Sequence, residues 1–172
     1  MTGPGTTEPT GSADPWSLAT TISAMAQLRT AQQAGDTEAV LAAVNRMGGE
    51  LATSMGIRIT EYTPERVVGT MPVVGNRQPF GLLHGGANGA LAESLGSFHA
   101  ALLVPDDTIA VGTELSCTHH RSATEGVVTG VSVPLHVGRS MGTFEIVISD
   151  EQGRRICTAR LSGFFRPAPV AR

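Results

Sequence analysis

The stretch His84-Gly85-Gly86-Ala87-Asn88-Gly89-Ala90-Leu91-Ala92-Glu93-Ser94-Leu95-Gly96-Ser97 decides the fold. It opens on two glycines behind a histidine and becomes a periodic apolar run. Leu91, Leu95, Phe98 and Leu102 recur at helical spacing and predict one buried stripe. Gly86, Gly89, Ala90, Glu93 and Ser97 share another side of the same helix. That side is nearly free of bulk and carries one acid, so it reads as a face that a ligand or another chain approaches closely. The helix start supplies unpaired amides and the positive end of the helix dipole. Donors at the start and an acid two turns on suit an ester or thioester carbonyl, the donors holding its oxygen while the acid works on its carbon.

Strand patterns surround this helix. Residues 56–63 alternate Ile57, Ile59 and Glu61 with Arg58 and Thr60, and residues 66–74 follow after Pro64-Glu65 as a second antiparallel strand. Beyond Pro105-Asp106-Asp107, residues 109–121, 126–137, 143–149 and 155–165 are long β-type runs, with turns at Glu125-Gly126, Gly138-Arg139 and Gln152-Gly153. Two strands, one long apolar helix and four strands predict an α+β architecture, the helix packed on one antiparallel sheet. Ahead of it, residues 1–15 read as a flexible tail rich in Gly, Pro, Thr and Ser. Asp14-Pro15 suits a helix start, and residues 16–55 read as a helical extension broken at Gly35-Asp36 and Gly48-Gly49. Its two longer helices suit packing or a subunit contact.

The 172 residues and 41% apolar content fit one globular domain. No run approaches the about 18 apolar residues of a membrane span. Met1-Thr2-Gly3-Pro4-Gly5 lacks the pattern of an export signal. A cytoplasmic protein with reduced Cys117 and Cys157 is expected, both filling core positions of strands. Net charge is −3, and the extension carries only Arg29 and Arg46, so a nucleic-acid partner is not expected. All 12 basic residues are arginine. A phosphate-bearing ligand would therefore need a local arginine pocket rather than a basic surface.

His84-Gly85-Gly86, with Glu93 nine residues after the histidine and Gly96-Ser97 behind it, resembles the hotdog-fold acyl-CoA thioesterases of the PaaI-like kind. The closer likeness is to the enterobactin-proofreading and dihydroxynaphthoyl-CoA branches. It continues in Val111-Gly112-Thr113-Glu114-Leu115, Thr118-His119-His120-Arg121, Pro134-Leu135-His136-Val137-Gly138-Arg139 and Asp150-Glu151-Gln152-Gly153-Arg154-Arg155, spanning roughly residues 54–165. The resemblance implies a hotdog fold over residues 56–166, one long helix wrapped by a curved sheet, with the helical extension in front. It implies hydrolysis of an acyl-CoA thioester to acid and CoA, the acyl group aromatic or of medium length, with aromatic preferred. An acyl-carrier-protein thioester is a further possible substrate. No cofactor or metal is implied, CoA being part of the substrate. The family's site forms between subunits, so a homodimer or homotetramer is expected.

Carried over residue by residue, the resemblance makes Glu93 the catalytic carboxylate, as nucleophile or as general base toward water; both routes are open to it. The Gly85 amide becomes the oxyanion donor, its bare Cα letting a carbonyl approach. Gln78 would position the thioester, His84 would donate to the thioester or its sulfur, and Ser97, one turn from Glu93, would hold the attacking group. His119 shares a strand face with Leu115 and Cys117 and is expected at the acyl pocket, while His120 faces away. Gly112, Arg121, Ser122, His136, Gly138, Arg139 and Ser140 would bind substrate, chiefly its CoA portion. The five histidines show no metal-binding spacing. A hotdog hydratase or dehydratase would want a His–Asp pair, and a non-catalytic acyl-CoA-binding protein would leave Glu93, Gln78 and Ser97 without a reason to occur together.

Overall fold

The computed structural model describes residues 18–168. The tail expected over residues 1–15 and the helix start at Asp14-Pro15 and Trp16 lie outside them. Three helices come first: α1 (Leu18–Ala34), α2 (Thr37–Arg46) and α3 (Gly49–Met55). Strands β1 (Arg58–Tyr62) and β2 (Val67–Pro72) lead to the long helix α4 (Gly85–Leu103). Four strands complete the chain: β3 (Thr108–His119), β4 (Val127–Val137), β5 (Met141–Ser149) and β6 (Arg155–Pro167). They form one six-stranded sheet in the order β1-β2-β4-β5-β6-β3, every neighbouring pair antiparallel. This is the expected α+β hotdog layout.

Alternation sets the inner face. Phe144, Ile146 and Ile148 of β5 are fully buried, as are Cys157, Ala159 and Leu161 of β6 or nearly so, and the residues between them are more open. Glycines on the sheet and on the helix make room for α4 against this face. Gly69 and Gly130 are register partners on β2 and β4, and the two methyls of Leu95 occupy the space where their Cβ atoms would be. Gly96 lies against Leu161 in the same way. Leu95→Ala would empty this seat at a cost of about 2–5 kcal/mol.

The buried stripe of α4 departs from the expected one. Leu91 and Leu95 are fully buried, but Phe98 and Leu102 are only half-buried. The covered face continues instead through Ala92, Gly96, His99 and Ala100. A helix of 3.6 residues per turn drifts from any strict four-residue repeat, and small residues on that drift let the sheet come close. His99 has no exposure. Its Nε2 lies 3.1 Å from the Pro64 carbonyl, which can only accept, so Nε2 carries the proton. Its Nδ1 then accepts from the Ser132 hydroxyl at 3.0 Å. Burial holds the His99 pKa below its ordinary value, against the smaller opposite pull of these bonds.

The extension is fastened to the sheet rather than tethered beside it. Asp36 caps α2 by accepting from the Ala39 amide. Val44 and Ala52 enter the main core, while Leu28, Ala31, Val40 and Ala43 form a second cluster on which Tyr62 of β1 packs. Asn45 bonds edge strand β1 twice, accepting from Ile59 N–H at 2.8 Å and donating to Ile59 C=O at 2.9 Å.

Candidate active site

The first half of the site is the start of α4. His84 is its N-cap, extended at φ −67° and ψ 134°, and its Nδ1 accepts from the Gly86 amide at 2.8 Å. The neutral ring therefore carries its proton on Nε2, and the residue is exposed. The Gly85 amide has no acceptor among the described residues. His119 lies against the bare Cα of this residue: a Cβ built on Gly85 would stand 2.9 Å from His119 Nε2. The opposite ring nitrogen, Nδ1, is 3.4 Å from Asn88 Nδ2. A bare amide and an imidazole nitrogen thus lie side by side at the helix start. Asn88 itself is buried, and its Oδ1 has no partner.

The second half lies two turns along. Ser97 Oγ donates to Glu93 Oε1 at 3.2 Å, as one-turn spacing permits. The carboxylate rests on Gly112 of β3, where an added Cβ would stand 2.5 Å from Oε1. The register skips a residue between Gly112 and Glu114, a bulge that turns the strand under the acid. Any side chain at position 112 would displace Glu93. The carboxylate is half-buried and makes no ion pair among the described residues. A cavity of about 560 Å³ opens at Glu93 and Ser97.

Other expected residues stand apart. Gln78 Oε1 accepts from the Phe80 amide at 2.6 Å, so its side chain closes its own loop. Arg121 and Ser122 are exposed beyond the end of β3. His136, Gly138, Arg139 and Ser140 occupy the end of β4 and the turn into β5, where Gly138 N–H bonds Met141 C=O at 2.8 Å. None of these lines the Glu93 cavity. His120 points elsewhere, its Nε2 2.9 Å from Thr158 Oγ1. Cys117 is half-buried and Cys157 buried. Burial pushes both thiols up, Cys157 to about 12, so neither is a thiolate near neutrality. Among the described residues no group of three or more His, Cys, Asp or Glu is placed to hold a metal ion. Asn88 and Gly112 complete the picture the motif began. Asn88 was legible only as a polar residue amid small ones.

The model of the thioesterase superfamily matches residues 80–157. The proofreading thioesterase EntH of Cronobacter turicensis is 52% identical over 115 residues, 66% of this chain and 84% of that protein. The chain belongs to the thioesterase superfamily. Its EntH relative in Cronobacter sakazakii is 51% identical over the same length. A crystal structure of a Haemophilus influenzae thioesterase superposes with a TM-score of 0.72 at 31% identity, covering 74% of this chain and 90% of that one. A mutant thioesterase from Pseudomonas aeruginosa gives 0.72 at 36% identity, covering 74% and 94%. This thioesterase is thus a thioester hydrolase with the hotdog fold. His84, Gly85, Glu93, Ser97 and His119 fall inside the span matched by the family, and Gln78 and the three N-terminal helices fall before it. Among the described residues, no helix is long and apolar enough to cross a membrane.

Proposed function

We propose that this thioesterase hydrolyses an acyl-CoA thioester, with an aromatic or medium-length acyl group, to the free acid and CoA at a site completed by two subunits. The observation that carries the reading is the division of the site. Gly85 and Glu93 are eight residues apart on one straight helix, a rise of about 12 Å. One carbonyl group does not span that distance. Two copies of α4 running in opposite directions about a two-fold axis bring Gly85 of each chain opposite Glu93 of the other.

In that arrangement the thioester oxygen accepts from the Gly85 amide and from His119 Nε2–H. Two donors set on the helix start in this way stabilise a tetrahedral intermediate as its charge develops. Glu93 of the partner subunit, held by Ser97, attacks the carbon or takes a proton from the water that does. Either way the C–S bond breaks, and the thiolate of CoA leaves and is protonated; attack by the carboxylate leaves a mixed anhydride that water then hydrolyses to the free acid and Glu93, whereas attack by water gives the free acid directly. His84 Nε2–H suits the leaving sulfur. Gln78 turns from its loop toward the thioester when substrate arrives. Arg121, Ser122, His136, Gly138, Arg139 and Ser140 hold the CoA portion, arginine forks meeting its phosphates. Water is the co-substrate and no resident cofactor takes part. The setting is the cytoplasm, and the assembly is a dimer or a pair of dimers.

Free-thiol release from a panel of acyl-CoA and acyl-carrier-protein thioesters tests the reading, with Glu93→Gln beside the parent. The variant is expected to lose at least about 10²-fold in kcat, the scale of a positioned acid or base. Full turnover by the variant would remove Glu93 from the chemistry.

A further inference from the structure

The cavity that opens at Glu93 does not end within the part of the chain that the family model matches. It runs along α4 toward the helix C-terminus and beneath α1, between Phe98, Ala101 and Leu102 on one side and Met25 and Leu28 on the other. Its walls therefore include a segment of the N-terminal extension. We infer that α1 forms the distal wall of the acyl pocket and that the pocket is built for an extended aliphatic chain of about ten carbons. The inference rests on the thioesterase reading above and names its substrate class.

Four observations carry it. The first is size: about 560 Å³ is several times the roughly 150 Å³ that encloses a benzene ring. The second is direction. Glu93, Ser97 and Ala101 follow one another at one-turn spacing along α4. From Glu93 to Ala101 is a rise of about 12 Å, and an extended chain advances about 1.2 Å per bond, which gives the ten carbons.

The third is the state of the polar groups on the walls. The Ser94 hydroxyl donates to Ala90 C=O at 2.8 Å, and the Tyr62 hydroxyl donates to Phe98 C=O at 3.3 Å. Arg29 is paired with Asp106 at 3.2 Å. The polar lining residues Arg29, Gln32 and Asp106 are exposed, while the stretch between Leu28, Phe98 and Leu102 presents carbon that suits methylenes. The aromatic rings of Tyr62 and Phe98 meet edge to face, at 86° and 6.4 Å, so they do not sandwich a flat ring between them. The fourth is the fastening. Arg29 of α1 reaches the turn between α4 and β3, bonding both the carboxylate and the carbonyl of Asp106. That contact spans the outer end of the cavity, and Leu28 and Ala31, buried in the second core cluster, hold α1 there.

The test is a series of straight-chain acyl-CoA substrates from acetyl to palmitoyl, with benzoyl-CoA beside them, hydrolysed by the full-length chain. Decanoyl-CoA is expected to exceed butyryl-CoA and benzoyl-CoA in kcat/KM by at least about tenfold, since each buried methylene contributes. Ala101→Phe and Met25→Trp fill the cavity from its two sides. Each is expected to move the optimum to shorter chains and to cut the decanoyl-to-butyryl ratio at least about tenfold. Ala42→Phe, on the exposed side of α2 away from the cavity, is expected to leave that ratio unchanged. Light scattering on each variant reports the subunit count. A profile flat in chain length, a preference for benzoyl-CoA, or equal loss on all substrates in the filling variants would overturn the inference while leaving the thioesterase reading standing. A changed subunit count in the filling variants would also overturn it, because the face would then belong to a contact between copies. No hydrolysis of any thioester would instead strike the thioesterase reading itself.

Discussion

The two edges of the sheet are treated in opposite ways. At β1 the chain covers its own edge: Asn45 of α2 satisfies both the amide and the carbonyl of Ile59, and the second core cluster packs beside it. At β3 nothing covers the edge among the described residues. That strand is 12 residues long, and most of it is exposed. An uncovered edge of this length is an open invitation to another strand, which soluble proteins ordinarily block with charge, proline or a bulge. Here the one bulge lies at Gly112–Glu114, under the acid of the candidate site. The difference teaches that the extension closes one edge while the other stays open, and the two-subunit site proposed above places its second copy at that open edge. In that proposal the acid stands where the second copy adds its half of the site.

Breaking the open edge should have the largest effect. The His120 amide bonds Ile156 on β6, so by alternation the amides of Cys117 and Leu115 point outward from the sheet. Leu115→Pro removes one outward donor and leaves the β6 ladder its own bonds. The variant is expected to run as a monomer by light scattering and to lose at least about 10²-fold in thioester hydrolysis, the scale of losing an oxyanion donor. A dimeric, active variant would place the assembly elsewhere.

Breaking the closed edge should cost stability instead. Asn45→Ala strands the backbone groups of Ile59 and is expected to cost about 2 kcal/mol, lowering Tm by about 4–8 °C. Activity per folded molecule should hold, as read by kcat below the transition. His99 sharpens the same side, because it ties α4 to the Pro64 turn between β1 and β2. Its folded pKa is depressed by burial, so the unfolded chain binds the extra proton. Stability is then full above the unfolded histidine value of about 6.5 and falls as pH drops from there through the lower folded value. Thermal melts from pH 7.5 to 5 should show that loss, and His99→Gln should flatten the slope by the share of one proton. The smallest effect belongs to Arg29→Ala. The Arg29–Asp106 pair is largely solvated, with 49% and 78% exposure, and its loss should change stability by less than about 1 kcal/mol.

The sequence carried the parts of this picture that depend on local periodicity. Helix α4, the order of strands around it and the Glu93–Ser97 pair follow from spacing alone. So does the inward turn of His119, because strand alternation ties it to Leu115 and Cys117. What it did not carry depends on partners distant in the chain. Asn45 meets Ile59 14 residues away and His99 meets Ser132 33 residues away, so neither bond has a local signal. Phe98 and Leu102 were expected in the core, yet α4 turns them toward the cavity under α1, which a pattern read on one helix does not reveal. Gln78 and the residues expected around CoA are scattered on one chain. Their expected roles need a second copy and a bound substrate to be met.

The central claim is that one catalytic centre takes the Gly85 amide from one chain and the Glu93 carboxylate from another. Gly85→Pro disables the donor half of the site: proline is tolerated at the first helical position, it removes that N–H and crowds His119 Nε2 beside it on the same chain, and His84 already has the extended backbone that precedes proline. Glu93→Gln removes the acid. The decisive measurement is thioester hydrolysis by the two variants, each assayed alone and then together after co-expression with separate affinity tags and isolation of the mixed species. Each variant alone should be nearly inactive, and the mixed dimer should recover about half of the parent rate, because a two-fold interface then holds one intact site and one doubly damaged site. A mixed dimer as inactive as either variant would mean that both groups act within one chain, and the shared site would have to be abandoned.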